Sequence, residues 1–221
     1  MALEERSDRH VSDDLLTRAL HGRGCPICLV LQSKTYDLLC DLQIEAVRDE
    51  KINAVVLSAG GYCQFHFWYL EKLASPVTNA QLLEQLLAKI NKECFEDTAG
   101  DSASSFDDVS RCPVCRSCRE WEEKLLACFT EKIPEKDFSA AYESSPGLCL
   151  PHLSKALRKI SEREQRAFLI QNGRRQLNTL IQELRLLVTK WHNKDRTPGR
   201  ENDSSYRAIG KLVGGRHFRT G

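Results

Sequence analysis

Cys25-Pro26-Ile27-Cys28 and Gly61-Tyr62-Cys63-Gln64-Phe65-His66 decide how this chain is read, because both recur. Cys112-Pro113-Val114-Cys115 and Gly147-Leu148-Cys149-Leu150-Pro151-His152 repeat them, with 34 residues between Cys28 and Cys63 and 33 between Cys115 and Cys149. In each half CPxC is answered by GxCxxH, and the copies are offset by 87 residues at the first element and 86 at the second. A tetrahedral Cys3His metal site gives this spacing a common physical cause.

The chemistry fits zinc. A CxxC turn sets two thiolates about 3.5–4 Å apart, the edge of a tetrahedron with Zn–S near 2.3 Å. Pro26 and Pro113 fall just inside the helix expected after each turn, where proline is tolerated. The electropositive end of that helix favours the thiolate a metal needs. Cys63 and His66, like Cys149 and His152, lie one helical turn apart. Gly61 and Gly147 stand two residues before each cysteine, where a tight turn aims the ligands. The expected ligands are Cys25, Cys28, Cys63, His66, Cys112, Cys115, Cys149 and His152, closed structural sites holding two zinc ions per chain. An iron–sulfur cluster is the alternative occupant. Disulfides are disfavoured, since Met1 to Asp14 lacks the apolar core of an export signal.

The composition narrows the classes. Of 221 residues, 41% are hydrophobic, and 32 basic residues nearly balance 31 acidic ones, so no global field argues for nucleic acid or membrane. No apolar run approaches the ~20 residues of a membrane-spanning helix. Of ten cysteines, Cys40, Cys94, Cys118 and Cys128 lie outside the repeat. Cys40 and Cys128 read as small core residues on helices. Cys118 forms a second CxxC with Cys115 and is either an alternative ligand, a redox spare or a surface or half-buried thiol.

Helical periodicity runs through the chain. A short helix is expected from Ser12 to Leu20, a long one from Pro26 to about Arg48, and another near Asp49 to Leu57. That pair reads as a hairpin returning each CxxH to its own CPxC. Phe65, Phe67, Trp68 and Tyr69 read as core anchors of the next helix. After Pro76, Leu83, Leu86, Leu87, Ile90 and Cys94 mark an apolar face. Residues 98–110 are polar and acidic and form the natural boundary. The second half repeats the plan, with Trp121, Leu125 and Leu126 inward, and ends in a helix from about Ser161 to His192. There Ile170, Leu177, Leu184 and Trp191 recur every seven residues, interrupted by Gly173. The spacing suggests packing across both halves, or a coiled coil with a partner. The expected organisation is a first repeat over 1–97, a linker over 98–110, a second repeat over 111–192 and a flexible basic tail over 193–221, whose apolar-basic end reads equally as a short helix docked on the body or as a free peptide awaiting a partner.

These residues resemble an uncharacterised bacterial family, a domain of unknown function. Its members are helical, carry paired CPxC and GxCxxH elements and end in a peptide matched here by Tyr206-Arg207-Ala208 and Leu212-Val213-Gly214. The resemblance covers most of the chain and implies a soluble, cytoplasmic protein; it brings no activity.

The expected fold is therefore all-α, two pseudo-repeated halves each stapled by its own Cys3His site. The expected role is a binding or regulatory scaffold, not an enzyme, since no motif for nucleotides, acyl transfer or phosphoryl transfer occurs. Its partner is another protein, met through the long helix or the tail. Two other readings stand beside this one. The thiolates can serve as a redox or metal-responsive sensor. The segment Lys155 to Arg175, with seven basic and two acidic residues, can serve nucleic acid.

Overall fold

The computed structural model describes residues 13–92 and 111–215. Ser12, Cys94, the acidic 98–110 segment, Arg216 and Arg219 lie outside them. The described residues form ten α-helices and no strand. They are α1 (Asp13–Ala19), α2 (Pro26–Arg48), α3 (Glu50–Ser58), α4 (Gln64–Leu73), α5 (Pro76–Asn91), α6 (Pro113–Lys132), α7 (Lys136–Ser144), α8 (Leu150–Lys159), α9 (Arg163–His192) and α10 (Ser204–Val213), preceded by a 3-10 turn at Arg200–Asp203.

Local chemistry sets these bounds. Pro26, Pro76 and Pro113 each open a helix at its first position. Asp49 starts α3 by accepting from the backbone N–H groups of Lys51 (2.8 Å) and Ile52 (3.2 Å). Ser75 does the same for α5 through Thr78 N–H at 3.1 Å. Gly173 does not interrupt α9: it is buried, and a Cβ there would lie 3.1 Å from the Leu153 side chain. Small size, letting α8 approach, is its role.

The chain divides into two compact units. One runs over 33–121 and holds most of α2, all of α3 to α5 and the start of α6. Its core contains Leu39, Leu42, Ile52, Val56, Leu70, Leu82 and Leu86. The other joins 13–32 to 122–215, with a core of Leu16, Leu20, Ile27, Leu31, Leu125, Leu126, Phe129 and Tyr142. Phe129 meets Phe138 and Tyr142 edge-on, with centroids at 5.7 and 5.3 Å. The units thus cut across the sequence halves.

Several faces differ from the periodic reading. On α4, His66 and Leu70 are buried, Phe65, Phe67 and Tyr69 are half-buried, and Trp68 is 65% exposed. On α5, Leu82 and Leu86 point inward, while Leu83 and Leu87 are exposed. Cys40 and Cys128 are half-buried rather than core. On α9 the inward face carries Leu169, Asn172 and Gly173, so Ile170 and Trp191 are exposed.

The C-terminal segment, for which a docked helix and a free peptide were equal expectations, folds back as α10 onto α8 and α9. Its inward side is polar. Ser204 and Lys211 are buried, and Arg207 pairs with Glu183 and Asp203 at 2.7 Å each. Lys190 of α9 holds the buried Glu201 at 2.7 Å. Tyr206, Ile209, Leu212 and Val213 face outward, 58–61% exposed.

Candidate metal centres

Every expected ligand sits at a helix N-terminus. Cys25 and Cys112 immediately precede α2 and α6, and Cys28 and Cys115 lie in their first turns. Cys63 and Cys149 are the N-cap residues of α4 and α8, with extended backbones, and His66 and His152 follow one turn later. Gly61 and Gly147 turn the chain into these caps at φ +90° and +73°, a region open to glycine. Two positive helix ends therefore converge on each group.

The eight residues form two Cys3His groups, in each of which all four donor atoms lie within 4.8 Å of one another. The first is Cys25, Cys28, Cys149 and His152. Its His152 Nδ1 stands 3.3 Å from the Cys25 and Cys28 sulfurs and 3.2 Å from Cys149, with Cys28 and Cys149 Sγ 3.8 Å apart. The second is Cys63, His66, Cys112 and Cys115. Its His66 Nδ1 stands 3.2, 3.6 and 3.4 Å from Cys63, Cys112 and Cys115, and Cys63 to Cys115 is 3.5 Å. These are the edges of a tetrahedron around one ion with metal–sulfur bonds near 2.3 Å.

The eight expected residues come together, but not in the expected pairing. Each site joins the CPxC of one half to the CxxH of the other, and neither half is stapled by its own elements. Helix lengths explain this. The 23 residues of α2 run about 34 Å outward, while the nine of α3 return only about 13 Å. The 20-residue α6 and nine-residue α7 leave the same shortfall. An unequal hairpin leaves Cys63 short of Cys28 unless residues 59–63 run fully extended toward it, and Gly60 and Gly61 turn the chain there instead.

A buried carboxylate orients the first site. His152 Nε2 lies 2.9 Å from Glu122 Oε1, and Lys155 Nζ holds both carboxylate oxygens at 2.8 and 2.9 Å. Such a partner fixes ring orientation and tautomer for a metal ligand. Burial opposes ionisation of Glu122, but His152 and Lys155 hold its carboxyl below the usual range. Sequence reasoning missed this residue. The available signal was an acid on the inward face of α6, between buried Cys118 and Leu125.

Thr35 stands 87 residues before Glu122, the offset of the CPxC elements, and is fully buried. Cys118, buried and outside both donor groups, hydrogen-bonds the His66 ring and stands 3.2 Å from Thr35 Oγ1. The second CxxC is thus neither a surface thiol nor part of the ligand set.

The C-terminal segment closes the first site. Gly215 N–H donates to Cys28 Sγ at 3.3 Å. Gly214, at φ +87°, passes so close that a Cβ would lie 3.4 Å from Cys28 Sγ and 3.7 Å from Cys149 Sγ. Lys211 Nζ donates to Pro146 O and Gln176 Oε1, each at 3.0 Å. Burial pushes its pKa down, against the pull of Cys25 and Cys149. All four ligands here are buried, whereas Cys63 at the second site is half-buried.

The ionisation balance within each group suits a cation. Burial opposes ionisation of Cys25, yet hydrogen bonds from Cys149 and Cys28 drive its pKa well down, while contact with Cys149 and Cys25 drives Cys28 up. At the second site the neighbouring thiols push Cys63 down and Cys115 up. Burial lowers His66, but Cys112, Cys118 and Cys63 outweigh it and raise its pKa to about 11. Three crowded thiols cannot all ionise together, whereas a divalent cation stabilises all three thiolates and a neutral imidazole.

The fold and these two groups define an all-α protein organised around a pair of Cys3His centres. The chain belongs to the family described as "Family of unknown function (DUF6062)", whose model matches residues 16–219. No curated protein and no solved structure matches it.

Proposed function

We propose that the protein binds two zinc ions, one per Cys3His group, and that the metals cross-brace a helical scaffold serving protein binding or regulation in the cytoplasm. The observation that carries this is the size and closure of the two cages. Sulfur–sulfur edges of 3.5 and 3.8 Å fit one tetrahedral ion. An iron–sulfur core, whose thiolates ligate different irons, needs its ligands further apart. Four protein donors leave no position for a substrate, which favours a structural over a catalytic metal. No described helix is long and apolar enough to cross a membrane. Metal analysis of protein purified without chelator is the test: two zinc per chain support the reading, and iron with labile sulfide overturns it.

A thiol-based sensor is the second reading, favoured by half-buried Cys63 beside Cys115 at 3.5 Å. Peroxide would oxidise this thiolate pair to a disulfide, itself reduced to water, with release of zinc. Loss of one zinc per chain in stoichiometric peroxide supports a sensor; retention of both supports the scaffold. The basic segment offers nucleic acid little. Lys155 and Lys159 pair with Glu122 and Glu123, while Arg166 and Arg175 bind backbone carbonyls.

A further inference from the structure

The outward face of α9 carries a pattern that its contacts within the chain do not explain. Arg174, Leu177, Ile181, Leu184, Val188 and Trp191 follow one another at alternating spacings of three and four residues, the seam of a coiled coil. Ile181 is 42% exposed, Val188 55% and Trp191 77%, with Leu177 and Leu184 half-buried. The fold spends a different side of the helix on its own core, through Leu169, Asn172 and Gly173. Ion pairs from α10 and the preceding turn reach α9 at Glu183 and Lys190, also off the seam.

We propose that this seam binds the same seam of a second copy of the chain, as an antiparallel two-fold dimer centred between Ile181 and Leu184. Complementarity selects both the occupant and the direction. About that centre, Ile181 packs on Leu184 of the second copy and Val188 on Leu177 of the second copy. Arg174, the one charge in the seam, meets the face of Trp191 of the second copy, a favourable cation–π arrangement. On the flanks, exposed Asn178 faces exposed Arg185 of the second copy, and half-buried Leu180 faces Leu187 of the second copy. A parallel pairing instead stacks Arg174 on its own equivalent and sets Leu180 against Arg185. A two-fold axis repeats each contact, so one seam satisfies itself. The exposed apolar area is about 500 Å² per chain. A standard interface buries about 800 Å² per partner, about 65% apolar in homodimers, so the areas agree.

Sedimentation of the full-length, metal-loaded protein tests this independently of what the metal does. A particle of about twice the 25.1 kDa chain is expected, and a monomer at concentrations up to about 100 μM overturns the proposal. Ile181→Asp with Val188→Asp, at exposed positions, gives a monomer with unchanged helicity and zinc content; a dimer that survives places the interface elsewhere. Trp191→Arg sets like charges together and weakens association about tenfold or more, and adding Arg174→Glu restores it. Weakening without restoration overturns the antiparallel register.

Discussion

Glu122 shows how much of a metal centre lies behind its ligands. Removing its carboxylate leaves the His152 Nε2–H buried without its acceptor and frees Lys155 from its partner. Glu122→Ala is therefore expected to lower zinc affinity at the first site by about 10–100-fold, with the second site unchanged. Glu122→Gln, which still accepts from His152, falls between. Competition against a chromophoric chelator reads both sites. The second site makes its own prediction in pH. His66, raised to about 11, and Cys115, raised above its ordinary value, each hold a proton on the metal-free site at neutral pH. Zinc must displace these protons, so its apparent affinity rises with pH and falls as protons compete at lower pH, by about tenfold per unit for each proton displaced. Calorimetry in buffers of different ionisation enthalpy counts these protons; release of none contradicts the assignment.

At the scale of the element, α10 is held by its polar side. The left-handed Gly214 allows its last turn to reach the Cys28 and Cys149 sulfurs. Gly214→Ala adds a Cβ at φ +87° and ψ −172°, a conformation nearly confined to glycine, and costs about 1–3 kcal/mol. Amide exchange across 204–215 should quicken and zinc should leave the first site faster, with the second site unaffected. Much of the helical layout was legible because prolines at first positions and the side-chain caps of Asp49 and Ser75 are local signals. The buried faces were harder. On α4 apolar side chains run nearly all round the helix, so the turn that carries His66, not hydrophobicity, decides that Leu70 goes in and Trp68 stays out. On α10 the apolar stripe points away from the body, because Arg207 and Lys211 find partners inside. A hydrophobic pattern carries no record of such partners.

For the whole molecule the eight cysteines and histidines that gather into two groups were legible from the repeat, but their partition was not read correctly. The clue lay in the lengths, since a nine-residue helix after a 23-residue one retraces less than half of its path. Crossed pairing makes each Cys3His group a link between distant parts of the sequence, 121 residues apart for Cys28 and Cys149. Metal loss is accordingly expected to loosen both halves together rather than one at a time. Chelation followed by exchange measurements should show protection falling in 13–32 and 122–215 when the first site empties.

Zinc per chain in two double variants tests the crossed pairing most directly. Cys25→Ser with Cys149→Ser removes two ligands from one site and should leave one zinc. Cys25→Ser with Cys63→Ser damages both sites and should leave none. The opposite result, one zinc for Cys25→Ser with Cys63→Ser and none for Cys25→Ser with Cys149→Ser, would mean that each half closes on its own metal.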